Sequence, residues 1–208
     1  MYTTFFETLD AIRPLLDHPE LADRWDEPSA LERMTIGALT AHLGRAATVV
    51  DQNLDTVGEQ PLRDAPGYFI NLMQEPDTDL DSDLAVSVRR RAEEDAEPGY
   101  DAVRQRWDDV RRRLGQVLPA VDPNKAIAVR SSSMTVSEYL KTRLVELVVH
   151  ADDLSASLGT DAPELPASAT REVLACLTEM LARRNGPLSV IRAMSRVERG
   201  DPAALRAF

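Results

Sequence analysis

The chain has 208 residues, 43% of them hydrophobic, and a formal net charge of −11. That length suits one domain with a sizeable core. The charge argues against a nucleic-acid partner, which needs a basic stripe to displace counterions. The single cysteine excludes an intramolecular disulfide and a cysteine-based zinc cluster.

The N-terminal stretch MYTTFFETLD has neither a charged leader region nor a cleavage site, and no apolar run approaches the roughly 18 residues of a membrane span. A soluble, cytoplasmic protein is expected, a monomer or homodimer with no membrane partner. Phe5, Phe6, Leu9, Ile12, Leu15 and Leu16 form an apolar stripe that predicts a first helix from about Tyr2 to Asp17. A broken connection follows. Thr35 is placed to cap a long helix from Ile36 to about Val57, closed by Gly58. A short helix is expected within APGYFINLMQ, then an acidic loop, EPDTDLDSD.

Further helices are expected from about Asp83 to Ala96 and from about Tyr100 to Leu118, separated by Glu97-Pro98-Gly99. The run Arg111 to Arg113 alternates with Asp108 and Asp109 and reads as a solvated face. Thr135 and Glu138 have the spacing of a capping box before an apolar run, and Gly159 closes the helix that follows. Helices from about Ser168 to Asn185 and from about Leu188 to Arg199 complete the chain. Cys176, in LACLTEM, sits in an apolar helical context and reads as a core thiol. Several helices of bundle length predict an all-α bundle.

The helix after Thr135 carries the chemistry. On a wheel of about 100° per residue, Arg143, His150, Asp153 and Ser157 fall within about 60° of Glu146, and leucines and valines fill most of the rest. The plainest explanation is a mostly buried helix that keeps one wet stripe. The alternative is a metal: Glu and His four residues apart stack on one face and can reach one ion. A third ligand must then come from elsewhere, and the only other histidines are His18 and His42. His18 precedes a proline and reads as a surface or capping residue. His42 lies on the long second helix among Leu39, Ala46 and Val49. By itself it reads as a packed core histidine, but facing bundle helices also build metal sites in this way.

MTIGALTAHL, followed about a hundred residues later by RLVELVVHADDLSASLG, resembles the mycothiol-dependent maleylpyruvate isomerase family. Its relatives are the DinB-like metal-dependent four-helix bundles and mycothiol S-transferases. The C-terminal VIRAMSRVERGDPAALRAF is similar to the arginine-rich end of many members. The resemblance implies one DinB-like bundle over residues 1–208, with short extra helices. It implies that His42, Glu146 and His150 bind a divalent metal, usually zinc, and form the catalytic centre. Asp153 matches the signature aspartate, in position to orient a ligand histidine, and Arg143 the preceding arginine, in position to receive a cofactor or substrate carboxylate. The implied reaction uses mycothiol: a metal-bound thiolate attacks a small-molecule electrophile, giving a thiol S-transferase or a cis–trans isomerase. A metal-containing bundle that binds a small molecule without turnover remains the alternative.

Overall fold

The computed structural model of the chain describes residues 1–73 and 79–207. The helices are α1 (Tyr2–Ile12), α2 (Ile36–Asn53), α3 (Ala65–Leu72), α4 (Asp83–Ala96), α5 (Tyr100–Val117), α6 (Val136–Leu158), α7 (Ala167–Asn185) and α8 (Pro187–Ser195). The described residues form the expected all-α bundle with one addition, an antiparallel hairpin of β1 (Ala126–Val129) and β2 (Ser132–Thr135).

Helix α6 is the axis of the bundle and packs against α1, α2, α3 and α7, while α2 packs against α4, α5 and α6. Leu39, Leu43 and Val50 of α2 and Leu140, Leu144 and Leu147 of α6 are completely buried. Their three- and four-residue spacings turn one face of each helix toward the other. Burying such leucines contributes about 1.5–3 kcal/mol each. On α4 the buried residues are Ala92 and Ala96, small enough to bring that largely polar helix close to α2.

Helix starts follow side-chain chemistry. Thr35 Oγ1 accepts from the Ala38 N–H at 3.1 Å, and Asp64 and Ser82 cap α3 and α4 in the same manner. Thr135 Oγ1 accepts from the Glu138 N–H at 3.2 Å, so half of the expected capping box forms. The reciprocal half does not. Glu138 Oε2 instead accepts from the Ala65 N–H at 2.9 Å, tying the start of α3 to α6, and Oε1 holds Lys141. At the far end Gly159 adopts the left-handed conformation, φ 69°, which closes α6.

Several boundaries differ from expectation. The first helix tightens into a 3₁₀ turn over Arg13–Asp17. Helix α2 ends at Asn53 rather than near Val57, because Thr56 Oγ1 donates to the Asn53 carbonyl and redirects the chain toward the hairpin, where it also bonds Ala128. Helix α8 stops at Ser195, short of Arg199. The acidic loop expected over 75–83 lies outside the described residues from 75 to 78. Arg112 and Arg113 are exposed and Arg111 is partly so, and each pairs with an aspartate: Asp10 with Arg111, Asp109 with Arg112 and Asp51 with Arg113.

The hairpin pairs Ile127 with Met134 and Val129 with Ser132. Ile127, Val129 and Met134 are buried against the bundle. A two-residue turn at Arg130 and Ser131 puts the hairpin tip beside the cavity described next.

Candidate metal centre

His42 of α2 lies beside Glu146 and His150 of α6, and Asn53, further along α2, bonds Tyr139, further back along α6. The two helices are therefore antiparallel, and their facing polar residues line one side of a cavity of about 560 Å³.

Glu146 Oε2 is the common point. It stands 3.3 Å from His150 Nε2 and 3.8 Å from His42 Nε2. One ligand atom from each of the three residues lies within 4.8 Å of the others. Two ligands bonded at about 2.0–2.1 Å and separated by a tetrahedral angle lie about 3.3–3.4 Å apart. The Glu146–His150 spacing has that value, and the Glu146–His42 spacing exceeds it by about half an ångström. Two neutral imidazoles and one carboxylate match, in type and number, the protein ligands of an open zinc site.

His150 is oriented from behind. Its Nδ1 faces Asp153 Oδ2 at 2.9 Å, which leaves Nε2 toward Glu146. Ligating histidines are commonly held in this way, with the far ring nitrogen donating to a carboxylate. Ser157, also on the polar stripe, has a structural role: its hydroxyl donates to the Asp153 carbonyl at 2.7 Å and accepts the Ala30 N–H at 2.8 Å. That second bond anchors the connection between α1 and α2 on the end of α6.

The electrostatics are those of a compact charged cluster with little solvent. Burial works to raise Glu146, but the hydrogen bond to His150 and the Arg143 guanidinium prevail and hold the carboxyl at about 2. Burial works to lower His150, and the Asp153 and Glu146 carboxylates overcome it, raising the imidazole to about 9. Burial and the neighbouring His150 charge push His42 down to about 4, against Glu146. In the metal-free chain Glu146 is thus ionised, His42 neutral and His150 protonated near neutral pH. A cation would take the place of that proton.

Arg143 is buried. Its Nε donates to Thr142 Oγ1 at 3.0 Å, its guanidinium lies over the Tyr139 ring at 5.0 Å, and it sits 3.6 Å from Glu146 Oε1. That last distance is an ionic contact rather than a hydrogen bond. Arg143 and Glu146, three residues apart on α6, thus form a largely buried ionic pair. Tyr68 and Asn53, not raised above core or surface by the sequence, both line the cavity, as do Arg45, Arg91 and Arg130. Arg45 was discoverable, since it follows His42 by three residues on the same helix; Arg91 and Arg130 carry no comparable signal.

His18 ends the 3₁₀ turn and accepts the Glu20 N–H through Nδ1 at 3.4 Å, a capping role far from the cluster. Cys176 is a buried free thiol on α7, outside the cavity lining. Burial pushes it up to about 12, so it is protonated and unreactive at neutral pH.

Residues 6–155 match the family model described as mycothiol maleylpyruvate isomerase N-terminal domain. The match spans well over half of the chain and takes in the clustered residues of α2 and α6. The chain belongs to this family. Within this mycothiol maleylpyruvate isomerase N-terminal domain chain, α7 and α8 lie beyond the matched segment. No curated protein and no solved structure matches the chain. Among the described residues no helix is long and apolar enough to cross a membrane.

Proposed function

We propose that the chain is a metal- and mycothiol-dependent enzyme acting on a small electrophile, as a thiol S-transferase or a thiol-dependent cis–trans isomerase. His42, Glu146 and His150 hold one divalent metal, with zinc favoured by the ligand set. The observation that carries this reading is the convergence of the three ligand atoms at the wall of a cavity large enough for a small molecule. Membership of the family supplies the thiol.

A cation at this position supplies a Lewis acid that makes a nearby thiol acidic at neutral pH. The chain's own residues prepare the site for it. Glu146 provides the anionic charge. Asp153 keeps a proton on His150 Nδ1 and leaves Nε2 free to ligate. Arg143 balances Glu146 from the side and also lines the cavity. Leu72, Leu84, Val88 and Val129 form apolar walls that exclude water from a reacting pair. Cys176 takes no part, which is consistent with a reaction whose sulfur arrives with a small thiol.

The test is thiol consumption by the zinc-loaded protein with mycothiol and a panel of electrophiles that includes cis-configured unsaturated acids. Turnover that requires mycothiol and disappears in His150→Ala is expected. Retention of the thiol in the product identifies a transferase, and its recovery alongside a trans product identifies an isomerase. Zinc-loaded protein that binds but never turns over these compounds would instead be a binding bundle.

A further inference from the structure

The cavity is cationic on a molecule that is strongly acidic. Arg45, Arg91, Arg130 and Arg143 line it against Glu146 and Asp153, in a chain of net charge −11. Arg45 is held by Asp95 at 3.0 Å, and Arg143 by Glu146. Among the described residues Arg91 and Arg130 have neither an ion pair nor a side-chain hydrogen bond. Guanidinium groups elsewhere are regularly paired with distant carboxylates: Arg13 with Asp108, Arg104 with Asp17, Arg111 with Asp10, Arg183 with Asp64. Among the described residues the side chains of Arg63, Arg171, Arg192 and Arg206 also lack a partner, but they lie on the exposed surface away from the cavity, whereas Arg91 and Arg130 line it.

Arg130 brings a second, independent observation. It occupies the hairpin turn at φ 53°, a left-handed conformation that costs a residue with a Cβ and favours glycine. A strained residue at the edge of a cavity is a recurrent mark of a binding role. The hairpin that carries it is anchored to the chain after α2. Gly58 N–H donates to the Ala126 carbonyl at 3.2 Å, and Thr56 Oγ1 accepts the Ala128 N–H at 3.0 Å. From the other side, Arg91 follows Leu84 and Val88 at helical spacing, so one face of α4 offers the cavity two apolar side chains and then a cation.

We propose that Arg91 and Arg130 are specificity-determining residues that bind a carboxylate on the electrophile, selecting a substrate with an anionic end and an apolar body. This rests on the reading of the cavity as the substrate site. It does not require the metal. A cleft lined by one sign of charge also concentrates ligands of the opposite sign, and the acidic exterior confines that attraction to the cavity mouth.

The experiment is calorimetric titration of the full chain with 3-phenylpropanoate and with its neutral counterpart 3-phenylpropanamide. The acid is expected to bind at least tenfold more tightly than the amide. Arg91→Gln and Arg130→Gln should each weaken the acid about tenfold and leave the amide unchanged, as expected for loss of a charge-assisted hydrogen bond. Arg130→Gly should weaken the acid equally while melting no lower than the parent, since glycine is at ease at this φ, which separates lost binding from lost folding. Because carboxylates also bind zinc, His150→Ala is titrated in parallel and should retain most of the preference for the acid. Equal binding of acid and amide, no binding of either, or a preference abolished by His150→Ala but untouched by both arginine variants would each overturn the proposal. Zinc content of the same samples reports on the metal separately: zinc-free protein that still prefers the acid sinks only the metal, and zinc-loaded protein with no preference sinks only the arginine pair.

Discussion

Replacing Asp153 by Asn removes a charge while nearly preserving shape, and it isolates what the carboxylate does for His150. At 2.9 Å from Nδ1, Asp153 fixes the ring's orientation and makes Nε2 a better donor to a cation. Loss of such a partner costs about 10–100-fold in metal affinity, or about 1.4–2.7 kcal/mol. A second effect opposes it. The same carboxylate helps to raise His150 to about 9, so in the parent a proton competes with the metal below that pH. In Asp153→Asn the imidazole gives up its proton more readily and part of the deficit is recovered near neutrality. The affinity ratio of parent to variant should therefore be larger at about pH 9 than at about pH 7. Zinc affinity measured by competition with a chromophoric chelator at both pH values is the assay. Asp152→Asn, one residue away on the exposed side, should bind zinc as the parent does. An unchanged affinity in Asp153→Asn at both pH values, or an equal loss in Asp152→Asn, would refute the orienting role.

Cys176→Ala should keep activity and lose about 1 kcal/mol or somewhat more of stability, the cost of a small cavity, and the parent thiol should resist iodoacetamide until the protein unfolds. Gly58→Ala would set a Cβ 2.6 Å from the Ile127 carbonyl oxygen, a backbone atom that can yield only by moving the hairpin; a loss of about 1–3 kcal/mol in denaturant unfolding is expected. Asp64 is held below the usual carboxylate range by its hydrogen bonds from Arg183, against burial, with help from the Gly67 N–H. Its contribution is present above the unfolded-state value near 4 and is lost as pH falls through the lower folded value. The stability gap between parent and Asp64→Asn should accordingly be open at neutral pH and close in acid, and a gap that widens in acid would contradict the assignment.

Much of the site was legible because an α-helix imposes its own geometry. Glu146, His150 and Asp153 are neighbours by spacing alone, so their stripe needed no tertiary information. The approach of His42 did, because nothing local states which face of α2 turns toward α6; only the family resemblance joined the two. The hairpin escaped notice for a physical reason. AIAVRSSSMT is short, rich in alanine and serine, and has weak strand propensity, and it is held by bonds to Thr56 and Gly58, about seventy residues earlier. The reciprocal capping box failed for a related reason, since Glu138 found a more distant partner in Ala65. Arg91 and Arg130 were invisible because only the folded chain shows which arginines line the cavity.

The central claim is that His42, Glu146 and His150 share one cation across two helices. Calorimetric melting with and without added zinc, on chelator-stripped protein of known metal content, tests it most directly. About one zinc per chain should bind. At a thousandfold excess over Kd it should add about 4 kcal/mol, which for a domain of this size raises Tm by about 8–16 °C. His42→Ala, Glu146→Ala and His150→Ala should each abolish most of that rise, and His42→Ala combined with His150→Ala should lose little more than the worse single variant, because both residues serve one ion. His18→Ala should keep the rise whole. A parent that neither carries nor binds zinc, or a full zinc-dependent rise in His42→Ala or His150→Ala, would show that the cluster is a buried ionic network and not a metal centre.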